Sequence, residues 1–364
     1  MPRIDAFLEL GREQGASDVH LAVGVPPMIR LHGELQQIKY RELTSDELKE
    51  LVHEILTPEQ IKTYENGHDL DISYNSEKVG RFRANLFHKF TGVGAVFRII
   101  PPKIPTMKEL GIPAVVEKML HTHQGIILVT GAAGTGKSTT LASMIDWLNR
   151  NRKYNIITLE DPIEYMHDSR ESLVVQRSIG VHVSSFAEGL HAALREDPDV
   201  ILVGELRDPD TISLAMTAAE TGHLVLGTLH TTSAVKTLDR IIDAMPADQK
   251  QLAATFLAQH LQGVICQKLV RTADGRGRKA MLEIMVNSSS IGNLILNQKI
   301  FQIPSALQTG REQGMQLMDQ ALMEAIQNKE IDPDDAYLHA TDKKQFQRFV
   351  TNPELIPQVN LAVS

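Results

Sequence analysis

Hydrophobic positions follow one pattern in the first hundred residues and another in the rest of the chain. In residues 1–100, runs with a period of two, such as 17–23 and 81–86, predict half-buried strands, and the helical spacing at 48–55 predicts an amphipathic helix. From about residue 111, continuous apolar runs alternate with helical patterns, which is typical of a parallel sheet wrapped by helices. The pattern therefore predicts a smaller α+β domain followed by an α/β domain.

Clustered prolines interrupt the pattern at residues 101–105. Proline fixes φ and removes a backbone donor, so this stretch cannot continue a strand and favours an extended spacer. We place a linker at residues 101–112, between an N-terminal domain at 1–100 and a C-terminal domain at 113–364. Beyond Ser233 the pattern predicts mainly helix.

One glycine-rich stretch, residues 131–140, fits the phosphate-loop pattern G-x-x-x-x-G-K-[ST] at every fixed position. An apolar run precedes it and a helical pattern follows, so strand, loop and helix come in the order that a phosphate cradle needs. Lys137 is expected to reach the β- and γ-phosphates, and Ser138 to coordinate Mg²⁺. The residues predicted to hold the nucleotide are Gly131, Ala132, Ala133, Gly134, Thr135, Gly136, Lys137, Ser138 and Thr139.

Acids and histidines follow the apolar runs behind this loop, where the ends of parallel strands collect at one edge of a sheet. The run 159–165 carries three carboxylates and includes Glu164, and the next strand run ends in Glu205, as a Walker B strand does. His223 and His230 bracket a third run, and His230 at its carboxyl end is the better candidate. A solvated acidic turn and structural histidines are the alternatives.

Composition and charge exclude several classes of protein. Hydrophobic residues make up 42% of the chain, and no apolar run approaches the ~18 residues of a membrane span. Charged residues in the first turns exclude a secretory signal, so we expect a cytoplasmic protein. The net charge of −8 disfavours nucleic acid as a partner. The single cysteine, Cys266, excludes disulfide frameworks and paired-cysteine zinc sites, and its apolar helical pattern predicts a buried position.

Four motifs resemble those of the type II/IV secretion ATPases: GAAGTGKSTT, TLEDPIEY, ILVGELRD and TGHLVLGTLHT. The phrases ASDVHLAVGVPPMIRLHGEL, GRFRANLF and LQTGREQGMQLMDQAL resemble the PilT family, the type IV pilus retraction motors, and the resemblance extends over residues 4–330. It implies the fold class α/β, with a RecA-like P-loop ATPase domain preceded by a smaller α+β PAS-like domain. It also implies a cytoplasmic homohexamer, peripheral to the inner membrane, that contacts an inner-membrane pilus platform protein at the pilus base.

The resemblance further implies hydrolysis of ATP with Mg²⁺. Glu205 would organise the metal and its water shell, Glu164 would be the general base, and His230 would sense the γ-phosphate. Arg81 and Arg83 share the polar face of a strand in the N-terminal domain. They would approach ATP from their own chain or from the neighbouring subunit, and we favour the neighbour.

Gly204 stands where many NTPases carry a second acid. A general base must therefore come from another segment, which suits the role that the resemblance implies for Glu164.

Three other functions remain open. A pilus assembly or type II secretion ATPase shares all four motifs, but the single cysteine excludes the paired-cysteine zinc element of those relatives. A ring-shaped DNA motor conflicts with the negative charge. A nucleotide-binding ring without hydrolysis conflicts with the retention of the motif residues.

The chain departs from the retraction motors at residues 290–297, which read SIGNLILN where the family carries AIRNLIRE. Gly292 and Leu296 thus replace two arginines. We expect intact hydrolysis with weak or specialised retraction, and this raises the hypothesis of a second retraction motor.

Overall fold

The computed structural model describes residues 2–31, 33–101 and 103–357. Met1 at the start of the predicted first helix, Pro102 in the predicted linker and residues 358–364 of the predicted C-terminal domain lie outside the described residues. The chain forms two compact units. The first extends to Ile104 and also contains Pro162–Met166, while the second holds Pro105–Asp161 and the residues from His167 onward.

The first unit contains a six-stranded antiparallel sheet with the order β3-β2-β1-β6-β5-β4. Its strands are β1 (Asp18–Ala22), β2 (Met28–Leu31), β3 (Glu34–Gln37), β4 (Leu70–Ser76), β5 (Gly80–Lys89) and β6 (Gly92–Ile100). Its helices are α1 (Asp5–Glu13), α2 (Ser45–His53) and α3 (Pro58–Glu65). The sequence pattern missed β4, and the PAS-like assignment of this unit stays a prediction.

Local sequence signals explain why the first unit folds in this way. On β5 the side chains of Phe82, Ala84 and Leu86 are fully buried, as the period of two predicts. The hydroxyl of Thr44 caps α2, and Thr57 forms a capping box at the start of α3. The alternation on β5 leaves its other face available for polar side chains.

The second unit contains a seven-stranded sheet with the order β13-β12-β7-β11-β10-β8-β9. All neighbouring strands run parallel except β13, which is antiparallel to β12. The strands are β7 (Gly125–Thr130), β8 (Asn155–Glu160), β9 (Leu173–Ser178), β10 (Val200–Val203), β11 (Leu224–Leu229), β12 (Leu261–Arg271) and β13 (Arg278–Val286). The predicted α/β class is confirmed.

Both faces of this sheet are covered. Alternate residues of β7 pack into two different hydrophobic clusters, one on each face. The α-helices are α4 (Ala114–Met119), α5 (Lys137–Asn151), α6 (Phe186–Ala193), α7 (Pro209–Glu220), α8 (Ala234–Ala244), α9 (Lys250–His260), α10 (Ser289–Leu296), α11 (Ile303–Thr309), α12 (Met318–Gln327), α13 (Pro333–His339) and α14 (Lys343–Phe346). Short 3-10 helices occupy Ile300–Gln302, Arg311–Gln313, Gln347–Phe349 and Pro353–Leu355. Within the described part of the chain, no helix has the length and hydrophobicity needed to cross a membrane.

The prediction of mainly helix beyond Ser233 is wrong for β12 and β13. Cys266 lies on β12, not on a helix, although it is fully buried as expected. A strand covered on both faces does not alternate in polarity, so its apolar positions fit a helical spacing equally well. Burial raises the pKa of the Cys266 thiol to about 11, so the group stays protonated near neutral pH.

Candidate active site

The loop between β7 and α5 has a backbone that favours glycine at both ends. Gly131 and Gly136 have φ angles of 148° and 87°, which residues with a Cβ rarely adopt. A Cβ on Gly131 would clash with the backbone carbonyl oxygen of Gln267, and one on Gly136 would lie 2.9 Å from the side-chain nitrogen Nε2 of Gln267. The phosphate-loop glycines therefore let the loop lie directly against β12.

Lys137 is the first residue of α5 and turns its ammonium back toward the loop. Its Nζ donates hydrogen bonds to the carbonyl oxygens of Gly131, at 2.8 Å, and Ala132, at 2.9 Å. Ser138 is exposed, and the first turn of α5 carries no acidic side chain. The N–H groups at this helix end and the ammonium together favour an anion beside the loop.

Side chains from three motifs meet beside the phosphate loop. His230 Nδ1 lies 3.5 Å from Lys137 Nζ, and His230 Nε2 lies 3.3 Å from Glu205 Oε1. Arg207 Nε lies 3.1 Å from the same carboxylate oxygen, although most of this arginine is exposed. Since β7, β11 and β10 are adjacent parallel strands, their carboxyl ends bring these residues together.

A side chain at Gly204 would crowd its neighbours. A Cβ at this position would lie 3.0 Å from the carbonyl oxygen of Leu159. The Thr228 hydroxyl also donates a hydrogen bond to the Gly204 carbonyl oxygen. The backbone at Gly204 thus packs closely against β8 and β11, which favours glycine at this position.

The acids of the run 159–165 are divided between the two units. Glu160 ends β8 in the second unit. Its Oε1 accepts hydrogen bonds from Thr158 Oγ1, at 2.7 Å, and Gln176 Nε2, at 3.1 Å. Glu164 belongs to the segment that is grouped with the first unit. The run therefore contributes acids to both units.

Glu164 and the two candidate arginines meet within the first unit. Arg83 Nη1 lies 3.4 Å from Glu164 Oε1, and the side chains are 37% and 20% exposed. Arg81 Nη2 donates a 2.7 Å hydrogen bond to the carbonyl oxygen of Ile163. Both arginines project from the polar face of β5, as the alternation predicts.

Gln267 on β12 is a site residue that the sequence motifs did not indicate. Its Nε2 donates to the carbonyl oxygen of Thr135 at 2.7 Å, and its Oε1 accepts from Thr140 Oγ1 at 2.8 Å. The residue is 3% exposed. No motif includes it, because its link to the loop depends on the pairing of β12 with β7.

A cavity of about 360 Å³ borders residues 131–135. This volume lies in the usual range for small-molecule sites. The sequence motifs did not indicate the rest of its wall, which consists of Thr232, Gln267, Lys268, Leu269, Arg278 and His339.

The donors near the loop suit a cation that the nucleotide helps to hold. Among the described residues, no group of three or more His, Cys, Asp or Glu side chains forms a metal site. Mg²⁺ prefers oxygen ligands, keeps several waters and commonly binds through substrate phosphates. The hydroxyl of Ser138 and the carboxylate of Glu205 are suitable oxygen donors for such a partial site.

Comparison with known proteins places these residues in a family. The model of the type II/IV secretion system protein family matches residues 2–356. The type IV pilus retraction ATPase PilT of Pseudomonas aeruginosa is 48% identical over 319 residues, covering 88% of this chain and 92% of the relative. A twitching motility protein of Neisseria gonorrhoeae is 46% identical over 318 residues, covering 87% of this chain and 85% of the relative.

A solved structure agrees with the sequence relatives. The crystal structure of the pilus retraction motor PilT with bound ADP matches with a TM-score of 0.86 at 41% identity, covering 95% of this chain and 99% of that chain. The chain therefore belongs to the type II/IV secretion system protein family, as its four motifs predict, and within it to the PilT branch, as the longer phrases predict.

Proposed function

We propose that this protein is an ATPase that works as a homohexameric motor and powers the retraction of a type IV pilus. The observation that carries the proposal is the cluster of Lys137, His230 and Glu205 beside the phosphate loop. The start of α5 supplies Lys137, and the ends of β10 and β11 supply Glu205 and His230, so a nucleotide at the loop would act on all three. The names of the PilT relatives support pilus retraction as the work performed.

The second unit supplies position and charge for phosphoryl transfer. The Lys137 ammonium would exchange its two loop carbonyls for phosphate oxygens, which form stronger, charge-assisted hydrogen bonds. Ser138 and Glu205 would hold Mg²⁺, which neutralises charge on the phosphates when bound. His230 contacts both Lys137 and Glu205, so it would respond to the γ-phosphate through either neighbour.

The first unit would supply the base and the arginines. Glu164 would accept the proton of the attacking water, because glycine at position 204 supplies no second acid beside Glu205. Arg83 now pairs with Glu164 and must release it for that role. Arg81 and Arg83 would stabilise the charge of the transition state on the neighbouring subunit.

The cavity beside residues 131–135 would receive the nucleoside part of ATP. Its wall contains the apolar side chain of Leu269 together with Arg278 and His339. An apolar surface with a few polar groups suits a base and a ribose.

The proposed partners follow from this function. The ring would contact an inner-membrane pilus platform protein at the pilus base, from the cytoplasmic side. A second retraction motor would work beside it. The net charge of −8 argues against nucleic acid.

The test combines turnover with motility. Purified protein should hydrolyse ATP with Mg²⁺, and deletion of the gene should reduce surface motility while the cells keep their pili. A plasmid with the unaltered gene should restore motility, whereas Lys137→Ala should not. Loss of pili would instead favour an assembly ATPase, and turnover that requires DNA would favour a DNA motor. A purified hexamer that binds ATP without turnover would support the non-hydrolysing ring.

A further inference from the structure

Gln267 lies where β7 passes into the phosphate loop. Cys266 pairs with Thr130, the last residue of β7, so Gln267 is the next residue along β12 and stands beside the first loop residue. The approach is close, because Cβ atoms on Gly131 and Gly136 would lie within 3 Å of Gln267 atoms. The loop therefore rests on this one residue at both of its glycine ends.

The side-chain amide of Gln267 joins two different parts of the loop region. Its Nε2 donates to the carbonyl oxygen of Thr135 at 2.7 Å. Its Oε1 accepts from the hydroxyl of Thr140, in the second turn of α5, at 2.8 Å. Both partners lie in the motif, and Gln267 and Thr140 are almost completely buried. An amide can form both bonds at once, because it is a donor at nitrogen and an acceptor at oxygen.

The bond to Thr135 fixes the direction of a loop N–H group. The C=O and N–H of a trans peptide point in opposite directions. Because the Thr135 carbonyl points to the side-chain amide of Gln267, the N–H of Gly136 points away from that amide. Backbone N–H groups of a phosphate loop are the groups that bind phosphate.

We infer that Gln267 is a positioning residue that holds the phosphate loop in its anion-binding conformation. This inference rests on the proposed function, since it concerns nucleotide binding at the same loop. Gln267 acts through the peptide between Thr135 and Gly136 and through Thr140, and it reaches the nucleotide through them.

The test measures the Kd for ADP by titration calorimetry and the KM and kcat for ATP, with Mg²⁺ present. Gln267→Met keeps the length of the side chain and removes both hydrogen bonds. We expect the Kd for ADP and the KM for ATP to rise about 10-fold or more, with a smaller change in kcat at saturating ATP. Thr140→Val should weaken ADP binding in the same direction, whereas Thr140→Ser keeps the hydroxyl and should bind normally.

Gln262 supplies a matched control. It lies on the same strand, and its Nε2 donates to the carbonyl oxygen of Gln124 at 2.9 Å, at the other end of the β7–β12 pair. Gln262→Met should leave the Kd for ADP within a factor of about two. An equal loss in both Gln→Met variants would show a general effect on β12 and overturn the inference.

Two further outcomes separate this inference from the proposed function. Absence of ADP binding by the unaltered protein would overturn both. Equal ADP binding by the unaltered protein and by folded Gln267→Met would overturn the inference alone. If Gln267→Met fails to fold, normal ADP binding by Thr140→Val would overturn it.

Discussion

Glu205 Oε1 and His230 Nε2 lie 3.3 Å apart at the carboxyl ends of the adjacent parallel strands β10 and β11. On the other side of the imidazole, His230 Nδ1 lies 3.5 Å from the ammonium of Lys137. An ammonium can only donate hydrogen bonds, and a carboxylate can only accept them. His230 Nδ1 therefore accepts from Lys137, while Nε2 carries the proton that points toward Glu205. One imidazole thus links the phosphate-binding lysine to the acid of the neighbouring strand.

His230→Ala should reduce kcat for ATP about 100-fold while the Kd for ADP stays within threefold, because the link is lost and the loop is kept. His223→Ala is the matched control, since His223 precedes the same strand and its ring contacts the Ala218 carbonyl oxygen. Steady-state kinetics and ADP titration measure both. The same loss of turnover in both variants would mean that the histidines only support β11.

Glu164→Gln and Glu205→Gln should bind ATP but hydrolyse it at least about 100-fold more slowly, because the first loses a base and the second a charged Mg²⁺ partner. Glu160→Gln is the control, since an amide oxygen can still accept from Thr158. Single-turnover hydrolysis with bound ATP separates chemistry from binding. Normal hydrolysis by Glu164→Gln would place the base elsewhere.

Arg83→Ala should reduce ATPase activity without dissociating the ring, and Arg81→Ala should do the same, because an arginine at a transition state contributes far more than one at the surface. Mixed rings test the direction of action. If the arginines serve the neighbouring subunit, inactive Arg83→Ala and inactive Lys137→Ala protein should recover activity together. A failure at every mixing ratio would indicate action within one chain.

Leu296→Arg should leave hydrolysis and thermal stability unchanged, because Leu296 is 38% exposed on α10. Gly292→Arg should lower the melting temperature by several degrees, since Gly292 is buried and its Cβ would lie 3.0 Å from the Ala258 carbonyl oxygen of α9. Thermal unfolding measures both.

If Leu296→Arg improves twitching in a strain without its main retraction motor, the missing family charge limits retraction. Full rescue by the unaltered protein would show that this charge is dispensable.

The stability of the protein should decrease as the pH drops below about 6.5, because of His167. Burial lowers the pKa of this histidine to about 4, and this effect outweighs the opposite effect of Asp146 and Asp168. The unfolded histidine titrates near 6.5, so between pH 6.5 and 4 the unfolded state binds more protons and stability decreases as the pH falls. Melting temperatures at pH 7 and pH 5 measure this. The melting temperature of His167→Gln should decrease less between pH 7 and pH 5 than that of the unaltered protein. The exposed control His68→Gln should show the same decrease as the unaltered protein.

Local signals predicted the central strands of the second unit and the phosphate loop. The buried runs of β7, β10 and β11 and the phosphate loop are each continuous in sequence, so local residues alone predict their structure. The placement of Glu205 and His230 beside Lys137 also follows from a general rule, because parallel strands end at the same edge.

Other features depend on contacts that no local pattern contains. Gln267 contacts the loop from β12, a strand more than a hundred residues away in the sequence. The sequence pattern predicted helix for this strand, because both of its faces are covered. The assignment of Glu160 and Glu164 to different units could not be predicted, because both acids stand in one short run and their different partners, Gln176 and Arg83, come from distant segments.

The grouping of Pro162–Met166 with the first unit has a consequence for how such a gene can change. The proline run looks like a natural breakpoint, but a fragment that ends at Ile104 would leave Ile163 and Glu164, the partners of Arg81 and Arg83, on the other side. Recombination at that point would join the two arginines from one ancestor to Ile163 and Glu164 from another. The two units are therefore expected to be inherited together rather than exchanged as separate cassettes.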